Sequence, residues 1–330
     1  MLAAYVDRLG SPEEIRYGEL PAPRPGPDEV LVDALATTVN PVDTFVRSGQ
    51  FPTALSFPFV IGRDLVGVVA ETGAEVSGFA PGDRVWCGSL GHDGRQGAAA
   101  QQAVVAADRL YHLPVGVEPT AAVAVVHPAA TAWLALFRHG ETRRGETVLV
   151  GGGAGNVGSA LVVLAAEAGA RVIATASARD LPYCRGLGAA EVLDYADPRL
   201  TERLAALSPR GIDVHVDTSG RNDLATAVPL LAPRGRIVLL AGARTRSVLP
   251  AGELYLKDGS VRGFVISRAT TAELAEAADA INRLLPSGRL RARRTETVPL
   301  RDAAGAHRRM EAGEVRGGRL ILDIAGAAAA

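Results

Sequence analysis

Cysteine is almost missing from this chain: only Cys87 and Cys184 occur in 330 residues. Two thiols cannot build a disulfide framework or a thiolate metal cluster, so both read as ordinary thiols. Net charge is missing too, since 35 basic residues meet 36 acidic ones for a formal charge of -1. That balance gives no electrostatic case for binding nucleic acid or an anionic membrane. No uninterrupted apolar run is long enough to span a bilayer, and Met1 to Arg8 lacks a basic stretch followed by a signal-length apolar core. The expectation is a soluble, cytoplasmic protein. Glycine and proline, 37 and 20 residues, stay below a low-complexity level, and 48% hydrophobic content can fill real cores. The length suits two domains, and no internal repeat divides it.

What the chain has is glycine in one place. Gly151-Gly152-Gly153-Ala154-Gly155-Asn156-Val157-Gly158 follows the apolar run Thr147-Val148-Leu149-Val150. Beyond it, Val157, Ala160, Leu161, Leu164, Ala165 and Ala168 recur at three- and four-residue steps, the spacing of one buried helix face, and Gly169 closes the helix. A second strand, Arg171-Val172-Ile173-Ala174-Thr175, comes next. Strand, glycine turn, helix and strand form the unit whose backbone N–H groups cradle a dinucleotide pyrophosphate, with Gly153, Gly155 and Gly158 as the fingerprint and Ala154, Asn156 and Val157 between them. The bland alternative is a glycine turn that only packs helix on sheet.

A site built for NAD places an acid about 20 residues past the glycines, for the ribose 2′-hydroxyl. This chain has Ser177-Ala178-Arg179, whose hydroxyl and guanidinium suit a 2′-phosphate, so the expected cofactor is NADPH. An exposed Arg179 paired with its neighbour Asp180 is the alternative. Tyr195, after a third strand, is a further donor candidate or a partly buried structural tyrosine.

Before residue 119 the chain reads as short strands and turns: a rigid connection at Pro21 to Pro27, then strands at 29–35, 65–70 and 84–86. From Pro119 strands at 147–150, 171–175, 191–193, 213–216 and 236–240 alternate with helices, the pattern of a parallel sheet covered on both faces. Ligands of such sheets lie beyond the carboxyl ends of the strands, which points to Thr218, Ser219, Ala241 and Gly242; Thr218 and Ser219 could equally be a helix cap.

Asn40 to Gly49, Gly62-Arg63-Asp64-Leu65-Val66-Gly67-Val68-Val69, Pro81-Gly82-Asp83-Arg84-Val85, the glycine fingerprint, Leu187-Gly188-Ala189-Ala190 and Arg234-Gly235-Arg236-Ile237-Val238 stand in the order seen in the medium-chain dehydrogenase/reductase superfamily. The chain most resembles its zinc-independent, zeta-crystallin-like quinone oxidoreductase branch, from Met1 to about Ile324. The resemblance implies an α/β protein with a GroES-like, β-rich catalytic domain, 1–118 and 267–330, and a Rossmann doubly wound parallel-sheet cofactor domain, 119–266. It also implies that Phe264, Val265 and Ile266 offer backbone hydrogen bonds to the nicotinamide carboxamide, that Thr131 contacts the nicotinamide side, and that homodimers pair through the 260–266 strand.

Zinc enzymes of the superfamily carry Gly-His-Glu where Gly62-Arg63-Asp64 stands and a cysteine where Asn40 stands. Arginine cannot ligate zinc and asparagine does so poorly; the cysteines of the structural-zinc lobe are also missing. His92 and His127 read as polar surface or cleft residues, and no metal is expected. Without a Lewis acid, conjugated acceptors are the natural hydride acceptors, because a quinol anion or enolate spreads the developing charge. The expected function is NADPH-dependent reduction of a conjugated carbonyl compound, a quinone first and an enoyl intermediate second. A third possibility is an NADPH-binding sensor or structural protein with little turnover. Relatives place tyrosines where Phe45 and Phe51 stand; phenylalanine can stack on a flat substrate but cannot protonate it. Asn40 could orient a carbonyl or stabilise the turn before Pro41, while Asp43 and Arg63 suggest an ion pair.

Overall fold

The computed structural model describes residues 1–328, so the last two residues of the expected catalytic domain lie outside it. Two compact units form, one from Met1–His127 with the chain from Leu274 onward, the other from Pro128–Glu273.

The first unit opens with β1 (Leu2–Val6), β2 (Arg16–Glu19) and β3 (Glu29–Thr38), then a short helix, α1 (Pro41–Ser48), and β4 (Phe59–Val60). β5 (Leu65–Thr72), β6 (Arg84–Cys87), β7 (Gln102–Ala106) and β8 (Tyr111–His112) complete its first stretch, followed by α2 (Pro119–Val123) and α3 (Val126–Trp133). The ten-residue β3 is the hub of a seven-stranded sheet: it pairs antiparallel with β5 and β7, and its end pairs with the last strand of the chain. Alternation explains that role, since Val30, Val32 and Ala34 point into one apolar core with Leu65, Val69 and Val85. Sequence reading ended this strand at 35. It runs on to Thr38 because Ala36, Thr37 and Thr38 find partners on a strand nearly three hundred residues away.

The second unit alternates strand and helix: β9 (Thr147–Gly151), α4 (Asn156–Glu167), β10 (Arg171–Ala176), α5 (Leu181–Gly186), β11 (Glu191–Asp194), α6 (Leu200–Leu207), β12 (Ile212–Asp217), α7 (Leu224–Ala227), β13 (Leu231–Leu239), α8 (Ala251–Leu256) and β14 (Ser260–Gly263). The strands are all parallel in the order β11-β10-β9-β12-β13-β14, which is the doubly wound arrangement. Leu149, Ile173, Leu193 and Ile212 face one side, while Val148, Val150, Val172 and Ala174 are buried on the other, as a sheet covered on both faces requires. Within α4 burial extends past the expected stripe to every residue from Gly158 to Ala165, Val162 and Val163 included.

Two strands depart from expectation. β13 starts at Leu231 rather than 236, because Leu231 pairs with Ile212 before a register shift carries the ladder on to Val214 and Arg236. β14 stops at Gly263 rather than reaching Ile266: Phe264 stacks on His139, with ring centroids 4.4 Å apart, and a 3-10 turn follows at Ile266–Arg268. The chain then returns to the first unit through α9 (Thr271–Leu284), β15 (Thr295–Pro299), α10 (Ala303–Glu311) and β16 (Arg319–Asp323). Two helices thus close the chain. The borders of the compact units fall inside α3 and α9, a few residues past 118/119 and 266/267.

Candidate active site

In the β-rich unit the candidate site is fixed by a register. Ile321 lies opposite Thr38 and Leu322 opposite Thr37 across the antiparallel β16–β3 pair, which carries Arg319 alongside Asn40. The Arg319 guanidinium donates to Asn40 Oδ1 at 2.9 Å and to Thr38 Oγ1 at 2.6 Å, and lies 3.4 Å from Asp64 Oδ2. Thr38 Oγ1 and Asn40 Nδ2 donate to the same Asp64 oxygen at 2.5 and 2.9 Å. The other oxygen, Oδ1, faces His127 Nδ1 at 3.3 Å. Asp43 Oδ2 accepts the Asn40 backbone N–H at 2.7 Å, one half of a capping box at the start of α1, and sits 3.2 Å from Asn40 Nδ2.

All these groups are out of water: Asn40, Asp43, Arg63, Asp64, His127 and Arg319 are buried. A buried carboxylate survives as a charge only where donors replace its hydration. Burial opposes the charge of Asp64, but His127, Arg319 and Asn40 outweigh it and hold the group below the ordinary carboxylate value. Asp43 has fewer partners. Burial first, then the like charge of Asp64, push it up to about 6, against a lowering pull from Arg63. Burial depresses both arginines, and both carboxylates counter it. The expected link between Asp43 and Arg63 is therefore electrostatic and includes Asp64.

His92 and His127 are not surface residues. His92 Nε2 lies 2.9 Å from an Arg95 nitrogen, which can only donate, so Nε2 accepts and Nδ1–H serves the Leu90 carbonyl 3.1 Å away. That ring is held neutral. His127 Nδ1 lies 3.3 Å from each of two acceptors, Asp64 Oδ1 and the Gly88 carbonyl, so Nδ1 carries a proton. Phe45 is 41% exposed and Phe51 packs against the apolar core. Thr131 is buried on α3, one turn beyond His127.

In the parallel-sheet unit the glycine turn lies at the carboxyl end of β9. Gly152 takes φ +76°, and a Cβ there would meet Thr218 Oγ1 at 2.6 Å. A Cβ on Gly158 would overlap the Gly152 carbonyl oxygen, so helix and turn can approach only with glycine at that point. Gly155 differs. A Cβ on it would come no nearer than 3.4 Å to any protein atom, so the protein itself has no need of a bare Gly155, and the space beside it suits an approaching phosphate. The first-turn N–H groups of α4, those of Val157 and Gly158 among them, have no carbonyl one turn back inside the helix. The turn therefore fits a dinucleotide pyrophosphate. Gly152, outside the predicted fingerprint, is constrained by the fold in the way Gly158 is, and Gly155 is not.

The remaining predicted contacts gather at the same carboxyl edge. Ser177 Oγ donates to Asp180 Oδ2 at 2.7 Å, while the Arg179 side chain is 86% exposed and 3.9 Å from that carboxylate. Tyr195 is exposed just past β11. Thr218 Oγ1 donates to the Gly151 carbonyl at 2.7 Å and Ser219 Oγ to Asp217 at 3.0 Å. Neither is a helix cap: Asp223 caps α7 by accepting from Thr226 N–H. Ala241 accepts from Asn222 Nδ2, and Gly242 packs against Gly220. Phe264 N–H donates to Leu239. Arg319, Asp64 and Asn222 were not among the predicted site residues; a lone arginine opening the apolar run Arg319-Leu320-Ile321-Leu322 was the visible signal for the first.

A β-rich unit of this topology and a doubly wound unit with an open glycine turn define a two-unit dehydrogenase/reductase. The family models agree: residues 26–115 match the alcohol dehydrogenase GroES-like domain and residues 156–283 the zinc-binding dehydrogenase domain. Quinone oxidoreductase of Mus musculus is 30% identical over 98% of this chain and 97% of its own. A crystal structure of an NAD-dependent alcohol dehydrogenase superposes with a TM-score of 0.87 at 30% identity, over 98% of this chain and all of that one. Escherichia coli quinone oxidoreductase complexed with NADPH superposes with a TM-score of 0.83 at 27% identity, over 98% and 100% of the two chains. The chain belongs to the medium-chain dehydrogenase/reductase superfamily.

The zinc that one family model's description implies does not fit these residues. The candidate donor set is Asn40, Arg63, Asp64 and His127, in which Arg319 already supplies the cation at Asp64. Among the described residues no group of three or more His, Cys, Asp or Glu side chains is placed to hold a metal ion.

The elevated Asp43 generates a prediction. Its folded value, about 6, lies above the ordinary 3.8, so ionising it costs the folded state stability once the pH exceeds about 6, and the cost fades as pH falls toward 4. Asp43→Asn keeps an acceptor for the Asn40 N–H. The variant should be more stable than the parent by on the order of 1 to 3 kcal/mol at about pH 8, with the gap closing near pH 4. Urea melts at the two pH values measure this; a gap that is the same at both would show that Asp43 does not titrate in this range.

Proposed function

We propose that the protein is an NADPH-dependent reductase of conjugated carbonyl compounds, with quinones as the leading acceptors. The observation that carries this reading is the Arg319 guanidinium on Asp64, which leaves no open coordination position to polarise an isolated carbonyl. Hydride delivery then favours acceptors that spread the incoming charge through their own conjugation. The similarity to quinone oxidoreductases along nearly the whole of both chains supports the same class. The open Gly155, the α4 N-terminus and the backbone at Thr218, Ser219, Ala241, Gly242, Phe264, Val265 and Ile266 would hold the cofactor. When bound, the cofactor supplies the hydride. The chain's own work is to orient the nicotinamide and acceptor and to exclude water.

Purified protein should oxidise NADPH when given a quinone panel, more slowly with enones and enoyl thioesters, and hardly at all with simple ketones. Faster enoyl thioester turnover would assign the enoyl reductase reading instead. Tight NADPH binding with no acceptor-dependent oxidation would assign a sensor or structural role.

NADPH over NADH rests on Arg179. Ser177 already gives its proton to Asp180, so the exposed guanidinium is the group free to swing onto a 2′-phosphate. Arg179→Ala should weaken NADPH binding by about 1 to 3 kcal/mol and leave NADH nearly unchanged. Equal losses for both cofactors, measured by fluorescence titration, would remove the assignment.

The protein is further proposed to form a homodimer through the edge strand β14. Phe264 N–H points inward to Leu239, so the alternating N–H groups of Val261 and Gly263 point away from the sheet. Tyr255 and Leu256, on the helix leading into that strand, are each 81% exposed. Val261→Pro removes an outward donor and should shift the mass in light scattering from dimer to monomer. A parent protein that is monomeric at micromolar concentration would refute the dimer.

A further inference from the structure

The carboxyl edge of the parallel sheet carries two arginines that the cofactor's own phosphates do not account for. After β12 and β13 the chain forms two loops, 218–222 and 240–247, that are tied to each other. Thr245 Oγ1 donates to the Gly220 carbonyl at 2.6 Å and Ser247 Oγ to the Asn222 carbonyl at 2.5 Å, so Arg221 and Arg246 stand at facing positions between the two ties. The buried Asn222 adds a third tie, from Nδ2 to the Ala241 carbonyl at 2.9 Å, and takes φ +51° to make it, a conformation few residues with a side chain adopt. The platform is therefore fixed, and both arginines on it are exposed.

We propose that Arg221 and Arg246 form a second phosphate site of the parallel-sheet unit, which takes the clustered phosphates of a nucleotide-tailed acceptor, such as an enoyl thioester on a phosphate-bearing carrier. The part played by the acceptor rests on the reductase reading above.

Three observations carry this. The first is a missing counter-charge. From Leu224 to Gly252 the chain has no Asp or Glu. Asp217 is committed to Ser219 and Asn222, and Asp223 to Thr226. Arg234 and Arg236 pair with Asp258 and Glu146, whereas among the described residues no ion pair holds Arg221 or Arg246. Two like charges at facing positions repel until an anion lies between them, and the guanidinium fork meets phosphate oxygens two at a time.

The second is the strand order. The glycine turn follows β9, and Arg179 follows β10, the neighbour of β9 on one side; Arg221 and Arg246 follow β12 and β13, on the other. A dinucleotide with its pyrophosphate on the turn and its 2′-phosphate at Arg179 has no phosphate left for them. The third is what comes next in the chain: Val248 and Leu249 are exposed, an apolar surface beside the arginines for the uncharged part of a ligand.

Calorimetric titration of NADPH-saturated protein with coenzyme A tests the site, with pantetheine, which lacks the phosphates, as the control. The parent should bind coenzyme A and not pantetheine. The double variant Arg221→Ser, Arg246→Ser, changed only at exposed positions, should bind coenzyme A about 10- to 100-fold more weakly and NADPH within about twofold of the parent. In steady state the parent's KM for crotonyl-coenzyme A should lie about tenfold or more below that for the N-acetylcysteamine thioester, and the double variant should lose this gap. Absence of coenzyme A binding at saturating NADPH, or equal binding by parent and variant, would overturn the site. A variant that loses NADPH affinity would overturn it too, by assigning the arginines to the cofactor. Coenzyme A binding with thioester turnover but no KM gap would overturn the acceptor assignment. A parent that binds coenzyme A through these arginines and reduces no acceptor of any kind would support the site and remove the reductase reading.

Discussion

The buried Asp64 carboxylate is the constraint on which the β-rich unit's polar interior depends. Taking such a charge out of water costs on the order of several kcal/mol unless every lone pair is answered. Thr38, Asn40, Arg319 and His127 answer it from β3, the N-terminus of α1, β16 and α3. Four elements far apart in sequence are thereby held in register around one side chain. The same requirement explains why β3 continues past the point where its apolar alternation ends: its last residues must deliver Thr38 and then Asn40 to the carboxylate. The Asn40 amide joins the cluster at both ends, giving to Asp64 and taking from Arg319.

Much of the parallel-sheet unit could be read from the sequence because its signals are local. A strand, a glycine turn and a helix each carry their period within a few residues. The turn's position and the helix after it came from that pattern, whereas the pairing strand at 260–266 came from the resemblance. The ends of elements did not: β13 begins early through a register shift with β12, and β14 ends early through the Phe264–His139 stack. Both effects arise between segments, where a single-sequence period has nothing to report.

The polar cluster was legible only in fragments. Asn40, Asp43 and Arg63 stood out as polar groups near a turn, but the cation that organises them is 279 residues from Asn40. The two histidines show the same limit. Isolated in sequence, each looked like a polar surface or cleft residue; in the fold each is buried, and what separates them is the partner. Arg95 can only donate, so His92 accepts at Nε2, whereas Asp64 can only accept, so His127 carries a proton on Nδ1.

This difference bears on the chemistry the site permits. A metal ion would supply a cation with room for a substrate oxygen, and its charge would act directly on that oxygen. A guanidinium tethered to β16 supplies the same sign of charge, but its two terminal nitrogens are turned onto Thr38, Asn40 and Asp64. Its field stabilises the carboxylates and goes no further as a ligand. Charge developing on an acceptor must then be spread within the acceptor itself or met by a proton. The proposed preference for conjugated acceptors follows from that one arrangement, a closed Arg319–Asp64 ion pair in place of an open Lewis acid.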